Sequence, residues 1–436
     1  MSIITPQANL QPRSILHYWL QLTSSPNQDF IQLSDYLNIK DLTVLDSAIS
    51  ELSLRHLYLL QLREYYSKHV IVINGGHPPL TFKSSTLQCT KQLEWIVARK
   101  LDTCIEKLNL QENVVVEDLI RLKIQFLNLQ EIESLYVSKV LIQNIAWNSP
   151  NLTSFAADTA FQIDDECMDL LCQGCPNLKT INLSERTSID NLSKLTYKAI
   201  TTYCTTLEEL TLMNLSHISN TGLSYLSNIH SLKKFVLTSS LCGIVVPYDT
   251  RPMIRSNHSL EQLKLHCLNM SHTDIFTCVG ENCPLLKHID MHERSWVGIT
   301  DESVRIMTLG CPLLESLQIS VRYSLYDDAE EADYNPHPFL SFTNTALYTI
   351  ATNCIYFKYL HIDSPDALPY NEVGLDVLID KCIHLRAIYN HNGIEQTSYL
   401  YYTAPGYNER EVELYIPTYK GGTKYHTQKG PYKINY

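Results

Sequence analysis

The stretch TDESVRIMTLGCPLLESLQI, Thr300 to Ile319, contains the fold in miniature. It opens on Thr300, whose hydroxyl can accept a bond from the free N–H groups at a helix start. Val304, Met307 and Cys311 follow at helical spacing. The second half changes period. Leu314, Leu317 and Ile319 read apolar-x-x-apolar-x-apolar, and the final alternation puts Leu317 and Ile319 on one face of a strand with Ser316 and Gln318 on the other. Neither a short helix nor a lone strand can hide its apolar side, so the unit has to be stacked on copies of itself.

The copies are present. CPNLKTINL (Cys175 to Leu183), CTTLEELTL (Cys204 to Leu212), CPLLKHIDM (Cys283 to Met291), CIYFKYLHI (Cys354 to Ile362) and CIHLRAIYN (Cys382 to Asn390) share the pattern. IHSLKKFVL (Ile229 to Leu237) and NHSLEQLKL (Asn257 to Leu265) keep its apolar positions without the cysteine, and weaker copies begin at Ile105, Ile132 and Leu152. Successive copies stand about 26 residues apart, apart from one long interval between Leu314 and Phe357. Helices in phase with the strands are read at Asp164 to Cys175, Thr300 to Cys311, Thr343 to Cys354 and Asn371 to Cys382, each behind an Asp, Thr or Asn opener.

A cysteine recurs just ahead of the strand, at a corner that needs a small residue tolerant of burial. From about Leu101 to Asn392 the chain resembles the cysteine-containing subclass of leucine-rich repeats, with its consensus C-x-x-L-x-x-L-x-L. The resemblance implies an α/β solenoid with parallel strands on a concave face and helices on the convex one. It also implies a protein-binding role, since this subclass is common in F-box proteins and their relatives.

The outward positions of the strands then form the candidate binding face. They include Glu209, Lys234, Lys264, His266, His288, Asp290, His292, Gln318, Tyr359, His361 and Tyr389. Histidines gather in the second half of this ladder. His288, Asp290 and His292 fall in line on one strand, which leaves a zinc site as an alternative, but no second-shell pattern accompanies them and a polar, partly exposed binding surface is the favoured reading. A histidine-rich face can also make binding pH-dependent. The long interval holds an acidic insertion, residues 320–342, with Asp327, Asp328, Glu330, Glu331 and Asp333, read either as a solvated charge run or as a lip over the concave face.

Residues 1–65 lack the repeat and read as short helices. Leu33, Tyr36, Leu37, Asp41, Leu42 and Leu45 resemble an F-box: an apolar first helix, Tyr-Leu, a few residues, Asp-Leu and a second apolar helix. The usual Leu-Pro opening and closing Trp are missing. The resemblance implies that these residues hold a Skp-type adaptor and through it a cullin ubiquitin ligase, with the substrate protein on the concave face. The other reading is a scaffold with no ligase link, in which the same helices only cap the array. Residues 66–100 are read as a linker and joining helix, with Trp95 and Ile96 packing on the first repeat. Residues 393–436 are read as a Tyr-rich cap and tail, with a strand in EVELYIP, Glu411 to Pro417.

Composition narrows the function classes. Of 436 residues, 34 are Lys or Arg and 46 Asp or Glu, a net charge of -12, which disfavours a duplex-wrapping protein. No apolar run reaches the ~20 residues of a membrane helix. Met1 to Pro12 has no basic segment leading into an apolar one, so the 13 cysteines are expected as reduced thiols in a cytoplasmic or nuclear setting. Cys172-Gln-Gly-Cys175 has no second pair at ligand spacing, and Cys175 is already claimed by the repeat. No phosphate-binding loop, zinc-protease or nucleophile-elbow motif occurs. No catalytic residue, cofactor, metal, nucleic acid or membrane is expected.

Overall fold

The computed structural model describes residues 55–56, 58–60, 62–63, 70–73, 94–110, 122–134, 137–158, 163–184, 192–215, 219–239, 249–266, 274–293, 299–321, 343–364, 370–392, 397–403, 412–415 and 431–432. The chain divides into two compact units, Met1–Phe155 and Ala156–Tyr436. No helix among the described residues is long and apolar enough to cross a membrane.

In the first unit, β1 (Val70–Ile73) pairs in parallel with β2 (Lys107–Leu110), and β2 with β3 (Glu131–Ser134). Helix α1 (Lys139–Asn148) follows, its first turn held by the Ser138 hydroxyl, which accepts from Leu141 N. Residues 94–98 are helical, Trp95 and Ile96 are buried, and the Arg99 guanidinium lies 4.9 Å above the Trp95 ring. The copy expected to start at Ile132 starts three residues earlier. Leu129 is buried with its N–H on Phe126 O at 3.2 Å, and Ile132 takes the second apolar position, on β3. Ile132, Leu135 and Val137 satisfy the same spacing, which is why sequence alone points to the wrong frame.

After β4 (Ser154–Ala157), the second unit alternates helix and strand. In order these are α2 (Asp165–Gly174), β5 (Thr180–Leu183), α3 (Lys194–Tyr203), β6 (Glu209–Leu215), α4 (Asn220–Tyr225), β7 (Lys234–Ser239), α5 (Arg251–Ser256) and β8 (Gln262–His266). They continue with α6 (Ile275–Asn282), β9 (His288–Glu293), α7 (Asp301–Gly310), β10 (Ser316–Val321), α8 (Asn344–Asn353), β11 (Tyr359–Ser364), α9 (Glu372–Lys381) and β12 (Ala387–Asn392). Strands β5 to β12 pair in parallel, each with its sequence neighbour and in the same register, except for a shift between Leu212 and Leu215 where β6 meets β7. This is a leucine-rich-repeat arrangement of α/β class. The inward residues form its core: Ile181, Leu210, Phe235, Leu263, Ile289, Leu317, Leu360 and Ile388 are all buried.

The four helices read from sequence begin and end where their capping residues stand. Asp164, Thr300, Thr343 and Asn371 accept from the first turn, and Thr300 and Ser303 complete a capping box. The first residue of a helix also caps the next one. Asp165 accepts from Ser193 N (2.9 Å), Ser193 Oγ (2.6 Å), Thr196 N (3.1 Å) and Thr196 Oγ1 (2.6 Å). Burial pushes its carboxyl up, but these bonds outweigh that and hold it below the ordinary range.

The corner cysteine joins helix to strand. Cys311 N–H closes α7 on Met307 O at 2.8 Å, and Cys311 O accepts from Leu314 N at 3.1 Å to open the strand. Its thiol donates to Cys283 O, one repeat upstream, at 3.2 Å; Cys354 donates to Cys311 O at 3.8 Å and Cys283 to Asn257 O at 3.9 Å. Burial pushes Cys175, Cys311 and Cys354 up to about 12, so these thiols stay protonated near neutral pH. That fits a structural role for Cys172-Gln-Gly-Cys175, and none of the ten described cysteines is in a disulfide.

Strand β13 (Thr397–Thr403) reverses direction and pairs antiparallel with β12, followed by β14 (Val412–Tyr415) and β15 (Pro431–Tyr432). The strand read in EVELYIP is present as β14. At the acidic insertion, β10 runs through Val321 and the next described residue is Thr343; Asp327 to Asp333 lie outside the described residues. The F-box-like positions Leu33, Tyr36, Leu37, Asp41, Leu42 and Leu45 also lie outside them.

Candidate functional site

In a parallel sheet with constant register, the outward residues of successive strands line up in rows. One row runs Glu209, Lys234, Gln262, His288, Ser316, Tyr359, Ala387. The next runs Thr211, Val236, Lys264, Asp290, Gln318, His361, Tyr389, and a third holds Thr238, His266, His292 and Ser320; of these, Thr211, Val236, Thr238 and Ser320 are buried. Every sequence-read binding position therefore sits at an outward register position of β6 to β12.

Four of these residues form a cluster on β8 and β9. Asp290 accepts from Lys264 Nζ at 2.9 Å and from His266 Nε2 at 3.0 Å. The His266 and His292 rings meet edge to face, with centroids 4.4 Å apart and planes at 62°. Burial pushes the Asp290 carboxyl up, but the bonds from His266 and Lys264, reinforced by their charge, prevail and bring it to about 2. Asp290 is therefore ionised and accepts only, so the ring hydrogen of His266 stands on Nε2. Nearby, Glu209 and Lys234 approach to 3.6 Å.

His288 is half-buried. Desolvation pushes its pKa down, opposed by Glu315 and aided by Lys358 and Lys287. Gln318 and His361 are neighbours in register, and Tyr359 is 39% exposed. Tyr389 lies opposite His361 on β12. Among the described residues, no group of three or more His, Cys, Asp and Glu side chains is arranged to hold a metal ion. The zinc alternative for His288, Asp290 and His292 gains no support, because both Asp290 oxygens are engaged by Lys264 and His266.

Sequence reading missed a fourth row, at the strand-entry edge; its signal was the constant offset from the corner, once the copies are aligned. Lys179, Glu208, Lys233, Glu261, Lys287, Glu315 and Lys358 occupy equivalent positions four residues past each corner and alternate in sign. Glu208 bonds Lys179 (3.3 Å) and Lys233 (2.6 Å); Glu261 bonds Lys287 and Glu315 bonds Lys358, both at 2.6 Å. From Lys179 to Lys358 this row thus has its charges paired before any partner arrives. Among the described residues the sheet face offers directed donors and acceptors and the exposed phenol of Tyr359.

No family model matches the chain, and no curated protein matches it in sequence. Among solved structures, a chain in the crystal structure of the Rad7 and Elc1 complex in yeast is similar at 14% identity, over 81% of this chain and 86% of that one, with a TM-score of 0.46. The leucine-rich repeat-containing protein LegL7 from Legionella pneumophila is similar at 13% identity, over 58% of this chain and 91% of that one, with a TM-score of 0.35.

Proposed function

We propose that this leucine-rich-repeat chain is a protein-binding receptor whose contact surface is the outward sheet face centred on β8 to β11. The observation that supports this reading is the Lys264–Asp290–His266–His292 cluster. Its side chains are already bonded to one another, so little rotamer freedom is lost when a partner settles on them. The paired charges fit a folded or extended polypeptide better than a polyanion, which would require unpaired cations.

The finer reading rests on the sequence resemblance. In it, Leu33, Tyr36, Leu37, Asp41, Leu42 and Leu45 hold a Skp-type adaptor, and the receptor presents its partner to a cullin ubiquitin ligase. The full chain is used as bait for a purified Skp-type adaptor, beside a version lacking residues 1–65. Retention by the full chain alone is expected; failure of the full chain to retain the adaptor removes the ligase link. Capture from lysate by wild type, Asp290→Lys and Lys264→Glu tests the receptor itself. A partner bound equally by all three overturns the sheet-face assignment.

A further inference from the structure

A second surface lies at the corners between helix and strand, away from the outward sheet face, and the argument for it does not rest on the receptor reading. At the two corners just upstream, Ile229 and Asn257, three of the four residues that follow serve internal bonds. His230 Nδ1 meets Ser256 O at 3.1 Å, Ser231 Oγ donates to Leu207 O at 2.7 Å, and His258 Nδ1 meets Asn282 O at 2.8 Å. Downstream the same positions turn apolar and outward. Leu285 is 44% exposed, Ile355 60%, Tyr356 44% and Ile383 73%. The Tyr356 and His384 rings stack at 6.1 Å, which makes adjacent corners one continuous surface. With Pro284, Pro312 and the half-buried Leu313 between them, four successive corners present an apolar strip two residues wide. Contiguous apolar exposure of this kind marks a contact site more often than a bare surface does.

The dimensions and the rims select the occupant. Four repeats at a strand spacing of about 4.8 Å make a strip some 14 Å long, which matches about ten residues of α-helix at roughly 1.5 Å each. The strand-side rim carries Lys287, Lys358 and Arg386 against Glu315, with Glu261 one repeat upstream bonded to Lys287. The helix-side rim carries Glu281 and Asp380 against Lys381, and the C-terminal carbonyl ends of α6 to α9 add negative partial charge. One rim is net positive and the other net negative.

We propose that this corner strip docks an amphipathic α-helix of a partner protein, about three turns long, with acidic residues along one flank of its apolar stripe and basic residues along the other. The test uses the full chain and three fluorescein-labelled, hydrocarbon-stapled peptides of about eleven residues. They share one Leu stripe and carry acidic and basic flanks, two acidic flanks, or two basic flanks. Anisotropy titration is expected to show the mixed peptide binding roughly tenfold tighter than either other. Ile355→Asp and Ile383→Asp should each weaken it by at least about tenfold. Both side chains are mostly exposed, so circular dichroism should be unchanged; Ile383→Ser serves if a charged variant misfolds. Leu195→Asp, at an exposed position of α3, should leave the titration as it was. The proposal is overturned if the mixed peptide does not bind, binds no tighter than the others, keeps its affinity in the corner variants, or loses it in Leu195→Asp.

Discussion

Asp301, the first residue of α7, accepts the backbone N–H of Thr343 at 2.6 Å across 42 positions of sequence. It also takes Thr343 Oγ1 at 2.8 Å and Ala346 N at 3.2 Å. The next repeat therefore docks in register although residues 322–342 intervene, just as Asp165 docks Ser193 and Thr196 without any long insertion. Asp301→Ala should lower stability by about 1–2 kcal/mol, the cost of a lost cap. Urea unfolding measures this as a reduced midpoint. An unchanged midpoint would show that packing alone seats α8.

The strand phase makes its own prediction. Leu317 is buried beside Ile289 and Leu360, while its neighbour Gln318 points outward. Leu317→Ala should cost about 2–5 kcal/mol, and Gln318→Ala less than about 0.5 kcal/mol. Equal losses in a denaturation series would mean that the two faces are exchanged.

Helices α6 and α7 approach through two glycines. A Cβ on Gly310 would fall on the Gly280 carbonyl, and one on Gly280 would meet Ile306 O and Met307 Cα. Backbone atoms cannot swing aside as a side chain does. Gly310→Ala should raise helix propensity yet lower stability by about 1–3 kcal/mol, because overpacking outweighs the propensity gain. A melting temperature at or above that of wild type would contradict the close approach.

Asp290 predicts an acid response. Its folded pKa of about 2 lies below the ordinary 3.8. A depressed carboxylate contributes stability that is complete above its unfolded pKa and disappears as pH falls through the folded one. The window therefore runs from about pH 4 down to about pH 2, and the contribution is on the order of 2 kcal/mol. Urea unfolding of wild type and Asp290→Asn at about pH 5 and about pH 2.5 should show the gap between them shrinking by most of that amount. A gap independent of pH would remove the Lys264–Asp290–His266 arrangement from the folded state.

Much of this architecture is legible in the sequence because its signals are local. Thr300, Thr343 and Asn371 mark helix starts by their side-chain chemistry, and Leu314, Leu317 and Ile319 mark a strand by period. The corners without cysteine are less legible. Asp102, Phe126, Ser149 and Asn257 occupy the same turn, each with its carbonyl accepting from the residue three ahead. The position requires burial and a corner conformation rather than one residue type; Asn257 meets it by bonding Met253 O and Leu232 N through its amide. At the candidate site, outward positions follow from alternation alone. The contacts of Lys264 and His266 with Asp290 do not, because they depend on which residue of β9 stands beside which residue of β8, and no single strand encodes that.

The alternating Lys and Glu row carries a consequence for how such an array can change its length. One repeat is the structural period, but its charge pattern has a period of two. Excising one repeat between Lys179 and Lys358 would set two lysines or two glutamates side by side, whereas excising an adjacent pair would keep opposite signs next to one another. Like charges facing across neighbouring strands cost fractions of a kcal/mol each. Insertion or deletion of a dyad of repeats, about 50 residues, therefore strains this row less than that of a single one.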